Sequence, residues 1–225
     1  MTLKQDLLGK YVKVIGSFAF KSEDFLENGI PILRISDIQG GTVSIEKAAR
    51  ISESVIGKGV KYSVESGDIL IAMSGATTGK IGLVPQNIEG LVLQNQRVGN
   101  FKILQSEKID KGYLKHVVIS PEYQRQIFSS MAGAAQPNIS SNQLENIKIP
   151  LPPLPQQRRI AAILDQADAL RAKRREALAQ LDKLTQSIFI EMFGDPVTNP
   201  KNIMKRTLGE LLTHIERLTI PKIMI

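Results

Sequence analysis

Four prolines fall within six residues, Pro150-Leu151-Pro152-Pro153-Leu154-Pro155, and neither Pro nor Gly occurs from Gln156 to Phe193. Each proline removes a backbone donor and restricts the residue before it, so neither a helix nor a central strand survives that density. Residues 150–155 therefore read as a stiff extended linker, whose last proline suits a helix N-terminus, where a missing N–H costs nothing. The stretch 156–193 is rich in good helix formers and predicts one helix of about 57 Å, at about 1.5 Å per residue. Gly194-Asp195-Pro196 ends it with a residue suited to positive φ and then a breaker. The chain thus divides into a front domain 1–149, a linker 150–155, a long helix 156–193 and a tail 194–225.

The apolar positions of the helix run Ile160, Ile163, Ala167, Leu170, then Arg174, then Ala177, Leu181, Leu184 and Ile188, with Leu164 and Leu178 widening the stripe. Spacing that alternates three and four is the seam of a coiled coil. A helix this long outreaches a domain of this size, so a partner helix is expected to cover its far end. The alternative is an amphipathic helix lying on its own domain. Arg174 falls on the seam, where a buried charge is costly unless paired. In an antiparallel pair its nearest candidate partners are Asp165, Asp168 and Glu176. The surrounding cluster Arg171, Lys173, Arg175 reads equally as a solvated face.

The front domain alternates short β-branched runs with glycine. Ile30 to Ile35, Asp68 to Met73 and Lys80 to Val84 read as strands, and Ser74-Gly75-Ala76-Thr77-Thr78-Gly79 as the turn between the last two. Asp110 to Met131 reads as helical and split by Pro121. Strands first and helices later give an α+β class, a globular domain followed by a long helix.

Composition bounds the chemistry. With no Cys there is no disulfide, thiolate metal site or cysteine nucleophile. No apolar run reaches the roughly 18–20 residues that span a bilayer, and the first six residues lack a signal-peptide core, so no membrane association and a cytoplasmic location are expected. A net charge of +7 favours a polyanionic partner, yet residues 1–153 carry 17 Lys/Arg against 14 Asp/Glu, so the excess is spread thinly. Gly75-Ala76-Thr77-Thr78-Gly79-Lys80 has one residue too few between its glycines for a phosphate loop, and Ile81 stands where a metal-binding hydroxyl is required. His116 and His214 lie in different regions, which disfavours a histidine-based metal site or triad. No carboxylate is followed two positions later by Lys, and no glycine turn has dinucleotide or methyl-donor spacing. The expectation is a non-enzymatic protein with no cofactor and no metal.

Ile149-Pro150-Leu151-Pro152-Pro153-Leu154-Pro155-Gln156-Gln157, continuing Arg158-Arg159-Ile160-Ala161-Ala162-Ile163-Leu164-Asp165, resembles the conserved region of type I restriction-modification specificity subunits. The likeness continues from Ala169-Leu170-Arg171-Ala172-Lys173-Arg174-Arg175-Glu176 to Ile188-Phe189 and Met192-Phe193-Gly194-Asp195-Pro196. Phe18-Ala19-Phe20-Lys21-Ser22, Gly67-Asp68-Ile69-Leu70 with Ser74-Gly75-Ala76, Asn95-Gln96-Arg97-Val98 and Gln136-Pro137-Asn138-Ile139-Ser140 resemble that family's shorter front motifs. The resemblance implies a target-recognition domain that reads one half of a bipartite site in double-stranded DNA. It implies conserved helices packed antiparallel as a ruler, with methylation and cleavage left to docked modification and restriction subunits. Family members usually carry two recognition domains; here there is one, and Leu208-Gly209-Glu210 echoes Leu8-Gly9-Lys10 as if a second begins in the tail. The chain reads as a natural half-subunit or a truncated reading frame. Two copies joined by antiparallel helices would rebuild the full arrangement as a homodimer on a palindromic bipartite site.

Candidate DNA contacts are polar or basic residues in loops beside strands: Lys21, Ser22, Arg34, Ser36, Ser74, Thr77, Thr78, Lys80, Gln96 and Arg97. Arg suits guanine and Gln suits adenine, whereas Lys and Ser/Thr more often hold phosphate. Asn95-Gln96 and Asn138 to Ser140 read equally as buried groups that lock loops. The competing function is a coiled-coil scaffold whose domain binds protein instead of DNA.

Overall fold

The structure is a computed structural model and describes residues 4–131 and 137–210. Gln136, His214 and the end of the tail lie outside the described residues. In chain order the strands are β1 (Gln5–Leu7), β2 (Val12–Ile15), β3 (Phe25–Leu26), β4 (Ile30–Leu33), β5 (Ile38–Gln39), β6 (Thr42–Val43), β7 (Ala49–Ile51), β8 (Ile69–Ala72), β9 (Ile81–Leu83), β10 (Leu93–Gln94), β11 (Val98–Ile103) and β12 (Lys148–Pro150). The α-helices are α1 (Lys111–Ile119), α2 (Pro121–Ser130), α3 (Ser141–Glu145) and α4 (Leu154–Phe193). The class is α+β, with strands leading and helices following.

A six-stranded sheet, in the order β2-β11-β8-β9-β6-β5, centres on β8. All four β8 residues are buried because both faces of the sheet are covered. Ile69 and Ile71 join Tyr113, Leu114, Val118 and Ile127 from α1 and α2, while Leu70 and Ala72 join Leu33, Ile38 and Val43 on the other side. A four-stranded sheet, β10-β4-β7-β3, packs Ile32, Ile51 and Leu93 around Phe20. The Pro121 break between α1 and α2 is capped twice. Asp110 accepts the Tyr113 N–H at 2.9 Å to open α1, and Ser120 accepts the Tyr123 N–H at 3.2 Å to open α2, with Pro121 at its first position.

The proline segment differs from the expected linker. Pro150 closes β12, which pairs antiparallel with β1 (Asp6 opposite Ile149), and the Leu151 N–H reaches the Lys4 carbonyl at 3.0 Å. Proline is tolerated at the end of a strand in so small a sheet because little ladder is lost. Pro152 is buried, and α4 starts at Leu154 with Pro155 in its first turn. The segment thus belongs to the domain and ties the chain's beginning to the root of the helix.

Within the compact unit that ends at Gln166, the first three turns of α4 lie against the start of α1. Gln157, fully buried, accepts the Asp110 N–H at 2.9 Å and donates to the carbonyls of Lys108 at 2.9 Å and Pro152 at 2.7 Å. One turn on, Ala161 is buried against Gly112, where even a Cβ would stand only 3.3 Å away. One turn further, Asp165 takes hydrogen bonds from Lys115 and from His116, the latter at 2.7 Å. Burial raises the Asp165 carboxyl pKa, but those two donors outweigh it and hold it below the ordinary value.

The second compact unit begins at Ala167. Every helical residue from 168 to 193 is exposed. The seam positions fall on both sides of this division: Ile160 is half-buried against the domain core, whereas Ile163, Leu170, Leu181, Leu184 and Ile188 are 45–62% exposed. Ala167 is half-buried, and Arg174 and Ala177 are exposed. Gly194, at φ +79°, stops the helix, and the Lys201 ammonium meets the carbonyls of Glu191 and Met192 at its end. Among the described residues no helix is long and apolar enough to cross a membrane.

Gln157→Ala should lower the unfolding free energy by about 3 kcal/mol, since three backbone groups lose their buried partner. Exposed Gln156→Ala should change it by less than about 0.5 kcal/mol. Urea unfolding of both variants is the measurement, and equal midpoints would refute the role given to Gln157.

Candidate nucleic-acid interface

Strand register decides which loops meet. Ile71 on β8 lies opposite Ile81 on β9 and Gly99 on β11, and Asn100 on β11 lies opposite Ile15 on β2, all antiparallel. The outgoing end of β8 therefore sits beside the incoming ends of β9 and β11 and the outgoing end of β2. Ser74 to Thr78, Lys80, Gln96, Arg97 and the segment leading to Lys21 and Ser22 all emerge at this one end. In the smaller sheet β10 runs parallel to β4, with Leu93 opposite Ile32, which brings Asn95 and Arg34 to the same end. Arg34, Ser36, Ser74, Thr77, Thr78, Lys80, Gln96 and Arg97 thus gather at one edge of the fold.

A buried amide and a half-buried one staple these loops together. Gln94, 1% exposed, donates to the carbonyls of Ile15 at 2.9 Å and Val98 at 3.2 Å. The Asn95 side chain accepts the N–H groups of Phe20 at 3.1 Å and Gln96 at 2.8 Å, and the Gln96 N–H also reaches the Phe18 carbonyl at 2.9 Å. The Met73 N–H donates to the Arg97 carbonyl at 2.8 Å. Asn95 is thus a loop lock, the structural alternative that its sequence left open.

The candidates separate by what their side chains already do. Ser74 and Thr78 are buried, and the Thr78 hydroxyl donates to the Gly75 carbonyl at 2.7 Å, so these two shape the turn. The Arg34 side chain lies 3.6 Å from Asp37 and over the Phe25 ring at 5.7 Å, which leaves it partly committed to its own domain. Lys21 pairs with Glu23 at 3.1 Å, and Ser36 donates to Asp37 at 3.2 Å. Ser22 and Gln96 are exposed. Thr77 has a buried hydroxyl oxygen with no hydrogen-bond partner. Lys80 and Arg97 are exposed and have no carboxylate partner among the described residues. Two uncommitted cations at the edge of a locked loop cluster are what a polyanion requires.

Arg97 carries a further mark. Its φ is +74°, a region that costs any residue with a Cβ of order 1 kcal/mol or more. The surrounding hydrogen bonds hold it there, and the side chain is presented outward from a backbone that cannot relax.

Ser36, Thr77 and Lys80 also line one open groove of about 960 Å³. Its rim includes residues that the sequence reading passed over. Gly40 and Gly41, at φ +60° and +82°, form the two-residue turn of the β5–β6 hairpin, and Phe128 and Ile119 come from α2 and α1. The Gly-Gly pair between Ile38-Gln39 and Thr42-Val43 is a hairpin signal that was there to be found. Nothing local marks Phe128.

The family described as type I restriction modification DNA specificity domain matches residues 8–181. The type I restriction enzyme MjaVIII specificity subunit of Methanocaldococcus jannaschii is 34% identical over 172 residues, covering 75% of this chain and 40% of that protein. The EcoBI specificity subunit of Escherichia coli is 28% identical over 180 residues, covering 78% and 37%. Among solved structures, the HsdS subunit from Thermoanaerobacter tengcongensis superposes with a TM-score of 0.57 at 22% identity, over 85% of this chain and 44% of that one. The S subunit of a type I restriction-modification system from M. genitalium superposes with a TM-score of 0.54 at 16% identity. At these identities the structures speak for the fold alone. The chain spans about two fifths of the length of the curated relatives it matches.

Arg97→Gly should raise the unfolding free energy by about 1 kcal/mol, because glycine adopts φ +74° without a Cβ penalty. Thermal unfolding checks it, and a destabilised variant would show that Arg97 is held by contacts that outweigh the strain.

Proposed function

Because the chain belongs to the type I restriction-modification DNA specificity family, we propose that it reads one half of a bipartite sequence in double-stranded DNA. The observation that carries this reading is the sheet end, where Lys80 and Arg97 stand without carboxylate partners among the described residues, above loops locked by Gln94 and Asn95. Arg97 is the base reader in this proposal, with guanine its favoured partner, and Gln96 beside it suits adenine. Lys80, Lys21, Ser22 and Ser36 hold the backbone, Thr77 with its buried hydroxyl oxygen shapes the turn that presents Lys80, and Arg34 stiffens the loop that presents Ser36. Ser74 and Thr78 act as scaffold. The chain itself performs no catalytic step; methylation and cleavage belong to modification and restriction subunits docked on it in the cytoplasm.

The exposed stripe Ile163, Leu170, Leu181, Leu184 and Ile188 supports a second copy as the partner of α4. Antiparallel pairing of two helices gives two recognition domains related by a two-fold axis, and hence a palindromic bipartite target. Asp165 is engaged by Lys115 and His116, and Asp168 lies 3.5 Å from Arg171. That leaves Glu176 as the freest counter-charge for a partner's seam arginine at position 174.

Selection of bound sequences from a random duplex pool, with the modification subunit present, should return one split motif whose binding weakens steeply as salt rises. Arg97→Ala should cost about 1–3 kcal/mol on the selected duplex and far less on random duplex. No sequence-dependent shift at any salt would favour a coiled-coil scaffold instead. Light scattering at micromolar concentration should give a dimer, and a monomer both alone and with the modification subunit would refute the paired helices.

A further inference from the structure

The groove that holds Ser36, Thr77 and Lys80 has a wall that the DNA reading leaves unused. Phe128 on α2 is 58% exposed and Ile119 at the end of α1 is 45% exposed, and both line the groove. The tip of the Phe128 ring lies 3.9 Å from where a Cβ on Gly79 would stand, so it borders the residue just before Lys80. Across the groove is the β5–β6 hairpin tip, where no atom lies within 4 Å of a Cβ built on Gly40 or Gly41. A partner's backbone can therefore approach the peptide groups of that tip closely. Lys80 is the sole charged residue among those lining the groove, and it has no carboxylate partner among the described residues.

A ligand matched to these walls is anionic along one side and carries a small apolar group on the other. One strand of duplex DNA meets both demands where a thymine lies, because its 5-methyl group projects into the major groove a short distance from its own phosphates. The other bases offer only donors and acceptors there, which a phenyl ring and an isoleucine cannot satisfy. We infer that this groove takes a thymine of the target, with Phe128 and Ile119 packed on its 5-methyl group while Lys80 holds an adjacent phosphate. The inference rests on the DNA reading proposed above and adds Phe128 as a specificity-determining residue. A helix of a partner protein is the competing occupant.

The experiment uses the full chain with its modification subunit and a duplex selected from a random pool. Each thymine of that duplex is replaced in turn by deoxyuridine, which removes one methyl group and nothing else. At one thymine, wild type should lose about fourfold in affinity, the worth of one buried methyl group. Phe128→Ala should bind the unmodified duplex less tightly by at least that factor and become indifferent to the same replacement. Phe128→Leu, which keeps an apolar surface, should retain the preference. Phe128 is largely exposed, so its variants should melt as wild type does; should Phe128→Ala melt lower, Phe128→Leu and the wild-type replacement series decide. Wild type indifferent to every replacement, or Phe128→Ala paying the same penalty as wild type, overturns the inference while leaving DNA recognition in place. Release of the modification subunit by Phe128→Ala with DNA affinity unchanged assigns the groove to a protein helix and overturns it as well. Failure of wild type to prefer any sequence removes the DNA reading, and this inference with it.

Discussion

A single carboxamide ties the root of the long helix and the proline segment before it to a part of this fold almost fifty residues earlier in sequence. Gln157 sits in the first turn of α4, completely buried, and satisfies the Asp110 N–H and the carbonyls of Lys108 and Pro152. An apolar residue of similar size would leave those groups unpaired, at a cost of about 1–3 kcal/mol each. An acid or a base would bury a charge there and supply only one of the two hydrogen-bonding roles. Only an amide both donates and accepts with the required reach. The approach to α1, the end of the proline segment and the root of the long helix thereby become one rigid corner, reinforced by Ala161 on Gly112 and Asp165 under Lys115 and His116.

At the far end of β8 from the loop cluster, a different polar device works. Asp68, 3% exposed, accepts from Asn100 at 2.7 Å, Lys102 at 2.8 Å and the Glu65 N–H at 2.9 Å. Burial depresses the Lys102 ammonium pKa, but the hydrogen bonds and charges of Asp68 and Glu65 together outweigh it, and the net shift is upward. This charge is fully answered within the fold, whereas Lys80 and Arg97 at the other end have no carboxylate partner among the described residues. The contrast between a neutralised end and an unneutralised one orients the domain electrostatically even though its overall excess of positive charge is small.

Much of the architecture was legible in the sequence. The proline cluster and the Pro-free stretch after it announced the long helix, and an error of two residues at its start arose because Pro155 is compatible with a first helical turn. The apolar run of β8 announced a strand, and its burial on both faces came with the structure. The small sheet was less visible, since β3 and β10 have two residues each and their pairing depends on distant partners. The site was legible as a set of residue types but not as an arrangement. Ser74 and Thr78 have the chemistry of phosphate contacts, yet their burial follows from Pro137 and Asn138 lying across the turn, some sixty residues away. Gln157 looked like one more polar helix residue, because its partners come from other segments. The same holds for Phe128, whose place beside Lys80 follows from how α2 crosses the sheet.

The conformation of Arg97 bears on how such a domain changes its preference over generations. The penalty at φ +74° falls on the Cβ, which nearly every residue type shares, and the loop's hydrogen bonds run through backbone atoms and Asn95. Exchange of the arginine for another unbranched side chain leaves both terms nearly unchanged. The side chain at position 97 can therefore change while the host fold stays at the same stability, so under the proposed DNA reading the strain makes this a neutral site for the fold and a consequential one for the target.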